Sequence, residues 1–172
     1  VFIGEEVSDA TMADAINNVG IGYQALSNVT TTDDNVAIGF QAGTALRTGN
    51  HNVILGSQAG HDLDNSQYNV VIGSQALANE VNGDRNVAVG YHALYSQDNT
   101  SNGNPANTAI GAFSGYHNVT GTFNTYLGAN AGFGASGQSH TGNTGIGYNS
   151  LGLVSTGNYN TALGNNSAAA IT

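Results

Sequence analysis

The chain has 172 residues, of which 25 are glycine and only 8% are charged, and its formal net charge is −9 with Arg47 and Arg85 as the only Lys or Arg residues. So few cations exclude the basic stripe that a nucleic-acid partner requires, and no apolar run approaches the roughly 20 residues that cross a bilayer. With no cysteine, neither a disulfide frame nor a thiolate metal site is available. In chain order, the first recognisable element is Val1-Phe2-Ile3-Gly4, and the same pattern returns led by asparagine at Asn18-Val19-Gly20-Ile21-Gly22. Further copies begin at Asn35, Asn52, Asn69 and Asn86, closed by Gly39, Gly56, Gly73 and Gly90, with Val after each asparagine. The last four begin at Asn107, Asn124, Asn143 and Asn160 and close with Gly111, Gly128, Gly147 and Gly164, with Thr after the asparagine.

The spacings between these asparagines are 17, 17, 17, 17, 21, 17, 19 and 17, and the longer two mark loop insertions at 101–106 and 137–142. A fixed period of this length is the signature of a repeat architecture. Positions are counted below from the leading asparagine, so the glycine is Asn+4. Side chains alternate along a strand, which separates Asn+1 and Asn+3 from Asn+2. The pair formed by Val or Thr at Asn+1 and Ile, Leu or Val at Asn+3 is assigned to the interior, so Ile72→Asp is expected to bury an unpaired charge. Glycine at Asn+4 in every copy points to a corner or a backbone angle that other residues adopt poorly. Three residues later comes Ala25, Ala42, Ala59, Ala76, Ala93, Ser114, Ala131, Ser150 or Ser167, small enough for a thin interior. Turn formers fill the rest of each unit, and no 3.6-residue stripe supports a helix. One unit buries two aliphatic side chains and an alanine, about 3–6 kcal/mol, against roughly 17–34 kcal/mol for ordering its backbone. Such units are stable only as a stack. The sequence therefore predicts an all-β fold, a parallel β-solenoid of about ten 17-residue coils in one domain spanning 1–172.

Three columns follow from the register. Gln24, Gln41, Gln58, Gln75 and His92 share one position, where side-chain amides can bond up the stack. The asparagines from Asn18 to Asn160 form another column, bonding turn backbone. Tyr23, Phe40, Tyr91 and Tyr148 follow the glycine, and three roles are open to them: stacking, contact with a neighbouring chain, or a ligand-contact platform for sugars. At Asn+2, Ile54, Val71, Ala88, Ala109 and Tyr126 are uncharged and are assigned to the outer face, which makes that face the expected site of self-association.

The unit Asn-x-Ala-Ile-Gly-x-x-Ala/Ser, best seen from Asn18, Asn35 and Asn86 onward, resembles the head repeat of trimeric autotransporter adhesins and the similar repeats of tail-fibre-like surface proteins. The resemblance covers nearly the whole chain. It implies a left-handed β-roll, three chains about one axis, and attachment to host glycans or matrix. Two departures stand: the adhesin coil is shorter than 17 residues, and no anchor, stalk or self-cleaving chaperone accompanies the repeats. The chain reads as a piece of something longer.

Nothing in the sequence assembles a catalytic, cofactor or metal site. Gly20-Ile21-Gly22-Tyr23-Gln24-Ala25 matches a dinucleotide fingerprint only by accident, since its first glycine is Ala37, Ile54 or Val71 elsewhere. His51, His61, His92, His117 and His140 occupy different positions in their coils, without metal-ligand spacing. Asp62, Asp64 and Asn65 offer oxygens but no calcium-binding nonapeptide. Asn28, Asn99 and Asn118 are formal glycosylation acceptors. The expectation is a non-enzymatic extracellular module, on a cell surface or virion fibre, for surface attachment and with itself as main partner. A structural filament that stacks head to tail is the alternative.

Overall fold

Each asparagine is followed by two β-branched or aliphatic residues flanking one central position, a composition that suits a short pleated strand. The computed structural model describes residues 1–7, 14–100 and 103–169. Ten strands occur: β1 (Phe2–Ile3), β2 (Val19–Ile21), β3 (Val36–Ile38), β4 (Val53–Leu55), β5 (Val70–Ile72), β6 (Val87–Val89), β7 (Thr108–Ile110), β8 (Thr125–Leu127), β9 (Thr144–Ile146) and β10 (Thr161–Leu163). They form one ten-stranded parallel sheet in chain order. Pairing is in phase from coil to coil, as in Val53 with Val70, Ile54 with Val71 and Leu55 with Ile72. No helix occurs among the described residues. The chain is an all-β solenoid of about nine turns repeating roughly every 17 residues.

The other sides of each coil carry turns rather than strands, yet their backbone also bonds to the neighbouring coil. Gln58 N–H donates to Phe40 O at 2.7 Å, Gly60 N–H to Ala76 O at 2.9 Å and Tyr68 N–H to Asn50 O at 3.1 Å. The corner after each strand explains the glycine column. Every Asn+4 glycine has φ between +124° and +141°, a region essentially closed to L side chains. A Cβ at Gly73 would also lie 2.5 Å from the Gly90 carbonyl oxygen. Positive φ recurs at Asn+6, where Gln41 has 53° and Gln58 has 55°, and at Asn+8, where Leu26 has 53° and Leu94 has 51°. Three closely spaced reversals bend the chain back within a few residues.

The strands alternate as expected, but the interior lies on the opposite side from the one assigned above. Ala37, Ile54, Val71, Ala88, Ala109 and Tyr126 are fully buried, whereas Val53 and Ile72 are each 36% exposed. The Asn+2 side chains are therefore core, not an association face, and Ile72→Asp would place its charge outside. The cause is space. Each coil admits one strand side chain, which shares the interior with Asn+8, and in several coils the two sizes compensate. Large Ile54 and Tyr126 are matched by Gly60 and Gly132, while Gly20, Ala88 and Gly145 are matched by Leu26, Leu94 and Leu151. Beside the small pairs Ala37/Gly43 and Ala109/Gly115, the large residues of adjacent coils (Leu26 and Ile54, Leu94 and Tyr126) fill the space. A Cβ on Gly132 would come within 2.3 Å of the Tyr126 ring. The small residues at Asn+7, including Ala25, Ala42, Ala59, Ala76 and Ala93, are fully buried beside them.

At Asn+11 the interior changes character along the stack. Val29, Leu46 and Leu63 give way to fully buried Glu80, Gln97 and Asn118. Glu80 Oε1 accepts from the backbone N–H groups of Gly83 at 2.8 Å and Asn99 at 3.0 Å, and Oε2 accepts from Asn99 Nδ2 at 3.0 Å. The insertions leave the stack in register, with Val87 opposite Thr108 and Thr125 opposite Thr144. Of the first, residues 101 and 102 lie outside the described residues, and Gly103 bridges to Gly83. The second carries His140 into the interior, 1% exposed, where its Nδ1 and the Tyr126 hydroxyl share a hydrogen bond of 2.7 Å.

Candidate functional site: columns on the solenoid surface

An exact repeat turns each position into a column, so the surface is best described column by column. The asparagine column is internal. Asn52 Nδ2 donates to Asn35 Oδ1 at 3.0 Å and to Ser66 O at 2.8 Å, while Asn52 Oδ1 accepts from Asn69 N–H at 2.9 Å. The pattern continues through Asn124, Asn143 and Asn160. Across the first insertion it is repaired: Gln97 donates to Asn86 Oδ1 at 3.2 Å and accepts from Asn107 Nδ2 at 3.0 Å. These buried amides tie the corner opposite the glycines and are closed to a ligand.

The Asn+6 column is partly open. Gln41 donates to Gln24 at 2.7 Å, Gln58 to Gln41 at 3.1 Å and Gln75 to Gln58 at 3.0 Å, with His92 Nε2 2.5 Å from Gln75 Oε1. An amide has two N–H groups and two acceptor sites, so each internal glutamine keeps one of each for solvent or a ligand. At Asn+1 and Asn+3 runs a stripe of Val, Ile, Leu and Thr along the whole sheet, with Ile38, Val53, Ile72, Ile110 and Leu127 exposed. No charged residue interrupts it.

Tyr23, Phe40, Tyr91 and Tyr148 are all exposed, but they form no continuous column, because Ser57, Ser74, Ala112 and Ala129 stand between them. Tyr23 and Phe40 stack at 5.5 Å, and Tyr91 joins a separate cluster through His92 and Phe113. The larger aromatic feature lies at Asn+9, where Tyr95 stacks on Tyr116 and Tyr116 on Phe133, both at 5.3 Å and within 7° of parallel. Its signal was present in the sequence: Tyr95, Tyr116 and Phe133 are spaced like Asn86, Asn107 and Asn124.

Two clefts lie on the surface, the smaller of them reaching Tyr95. One of about 390 Å³ is lined by Asn28, Ala45, Arg47, Asp62, Asp64 and Val81. The other, about 100 Å³, is lined by Gln58, His61, Asp62, Gln75, Ala78, Asn79 and Tyr95 and is mainly polar. Asp62 stands between the two clefts. Arg47 is held by Asp64, its Nε 2.7 Å from Oδ1, and Arg85 sits 5.6 Å from the Tyr68 ring centre. Burial lowers the pKa of His92 and His117 within the aromatic cluster.

No family model, curated protein or solved structure matches the chain. The geometry therefore stands alone. Among the described residues no three His, Asp or Glu side chains gather as a metal site, and no helix is long and apolar enough to cross a membrane. Of the formal glycosylation acceptors, Asn28 is exposed, whereas Asn118 is fully buried with its amide donating to Gly121 O at 3.1 Å.

Proposed function

We propose that the chain is a non-enzymatic fibre module that acts outside the cell, on a cell surface or a virion, and attaches it to other surfaces as a side-by-side homotrimer. One observation carries this reading: the uncovered apolar stripe at Asn+1 and Asn+3. Monomers rarely leave so extended a patch in water, and parallel sheets normally have both faces covered. A second copy matches the stripe along its whole length, since both copies repeat at the same spacing of about 4.8 Å. The number three, the extracellular setting and a glycan or matrix target rest on the resemblance to trimeric adhesin heads.

Light scattering tests the association. The unaltered protein is expected at the mass of three chains. The Val53→Lys/Ile72→Lys variant is expected at the mass of one, with its far-ultraviolet circular dichroism unchanged because neither side chain enters the core. A one-chain mass for the unaltered protein at high concentration would overturn the association. Masses that grow without limit would favour the head-to-tail filament instead.

A further inference from the structure

The chain holds no cysteine, no tryptophan and one methionine, but eight tyrosines. The side chains that compete best with phenols for an oxidant are thus nearly absent. Among the described residues, two tyrosines stack on each other only at Tyr95 and Tyr116, with ring centroids 5.3 Å apart and planes 6° from parallel. The backbone pins them there: Leu94 N–H donates to Ser114 O at 2.9 Å and Ser96 N–H to Tyr116 O at 3.0 Å, one bond on either side of Tyr95. Their column isolates the pair, since the next rung is Ala78 on one side and Phe133 on the other, and neither carries a phenol. Both side chains are half-buried, whereas Tyr68, Tyr148 and Tyr159 are 50%, 55% and 82% exposed.

We propose that Tyr95 and Tyr116 form a modification site, at which a haem peroxidase with hydrogen peroxide couples them into one dityrosine that joins two adjacent coils. Each phenol gives up one electron and its hydroxyl proton, leaving a phenoxyl radical with unpaired electron density at the ortho carbons. Pairing of the two radicals forms one C–C bond between ortho carbons. The hydrogens on those carbons then move to the oxygens and restore both phenols. In balance, two tyrosines and one hydrogen peroxide give one dityrosine and two waters. Burial, and then the nearness of Tyr95 and Tyr91, raises the pKa of Tyr116, so at neutral pH its hydroxyl keeps its proton until the electron leaves. Placement makes the coupling selective. A radical on either ring has its partner one rung away, at a spacing of about 4.8 Å set by the stack. Groups held as neighbours in this way react as if at concentrations far above any that separate chains reach. Tilting the rings toward each other brings the ortho carbons into bonding range, a motion that half-buried side chains allow. In a chain without cysteine, the link ties coils together as a disulfide does elsewhere. It rests on the stacked pair and not on the attachment reading.

The test treats the full chain, at low concentration, with a haem peroxidase and hydrogen peroxide. Expected are dityrosine fluorescence, a chain mass lower by two hydrogen atoms, and one linked peptide pair carrying Tyr95 and Tyr116. The product should still migrate as a single chain under denaturing conditions. Tyr95→Phe and Tyr116→Phe keep the ring, and with it the stack, but remove the phenol, and each should lower the dityrosine yield by roughly tenfold or more. Tyr159→Phe removes a phenol that is 82% exposed and should leave the yield unchanged. Links made mainly through Tyr68, Tyr148 or Tyr159, or mainly between chains, would show that exposure rather than stacking directs the oxidation, and would overturn the site. An unchanged yield in both Phe variants of the pair, or no dityrosine at all, overturns it equally.

Discussion

His140 sits in a setting far from its solution chemistry. Its ring lies in the interior against Tyr126, their centroids 5.8 Å apart, and Nε2 has no partner in the buried environment. Burial lowers its pKa to about 4, against about 6.5 for an unfolded histidine. The folded chain thus holds the neutral ring, and between pH 6.5 and 4 the unfolded chain binds more protons. The stability of the neutral form is fully present above pH 6.5 and is lost as pH falls through this window, by an amount on the order of 3 kcal/mol. His92 and His117 shift in the same direction. Thermal melts from pH 7.5 to 4 are expected to show a falling midpoint in the unaltered protein and a flatter profile in His140→Gln. An equal slope in both would remove His140 as the cause.

At the scale of the coil, the interior is filled by the Asn+2 and Asn+8 side chains, and in the coil of Asn52 a large Ile54 meets Gly60. Ile54→Ala should cost about 2–5 kcal/mol through the cavity it leaves. Gly60→Leu alone should cost about 1–3 kcal/mol through overpacking, since a Cβ there would lie 2.6 Å from Leu63 Cδ1. Its backbone is not the obstacle, because Leu26, Leu77, Leu94 and Leu151 adopt the same left-handed conformation at that position. The double variant should cost less than the sum, a coupling that urea denaturation of all four proteins can measure. The same pairing shows what the sequence made legible. The period, the strand positions and the glycine corner could be read because every coil enforces them: Gly73 must be glycine both for its φ and for the approach of Gly90. The buried side of the strand could not be read from hydropathy, since Val53, Ile54 and Leu55 are all apolar. A partial signal lies six residues away, where Gly20 goes with Leu26 and Tyr126 with Gly132, but Ala37 goes with Gly43 and Val71 with Leu77.

For the molecule as a whole, long-range order is built entirely from contacts between adjacent coils, in the manner of other solenoids. Every strand pairs only with the strand before it and the strand after it, and the backbone bonds that join coils run along the rod. All Asp, Glu, Lys and Arg residues fall at or before Asp98, so the later coils are joined by packing and neutral hydrogen bonds alone. This arrangement has a mechanical meaning. Tension applied to the two ends peels the stack coil by coil. Each 17-residue coil that opens frees about 56–61 Å of chain at 3.3–3.6 Å per residue, in place of a rise of about 4.8 Å. A single-molecule force–extension record is expected to be a saw-tooth with steps of roughly 50–56 Å, longer for the 21- and 19-residue coils. One abrupt rupture of the whole length would show instead that the coils yield together. A tether of this kind gives way in instalments, each lengthening the strained element about twelvefold, and it dissipates a sudden pull before the load reaches whatever holds its ends.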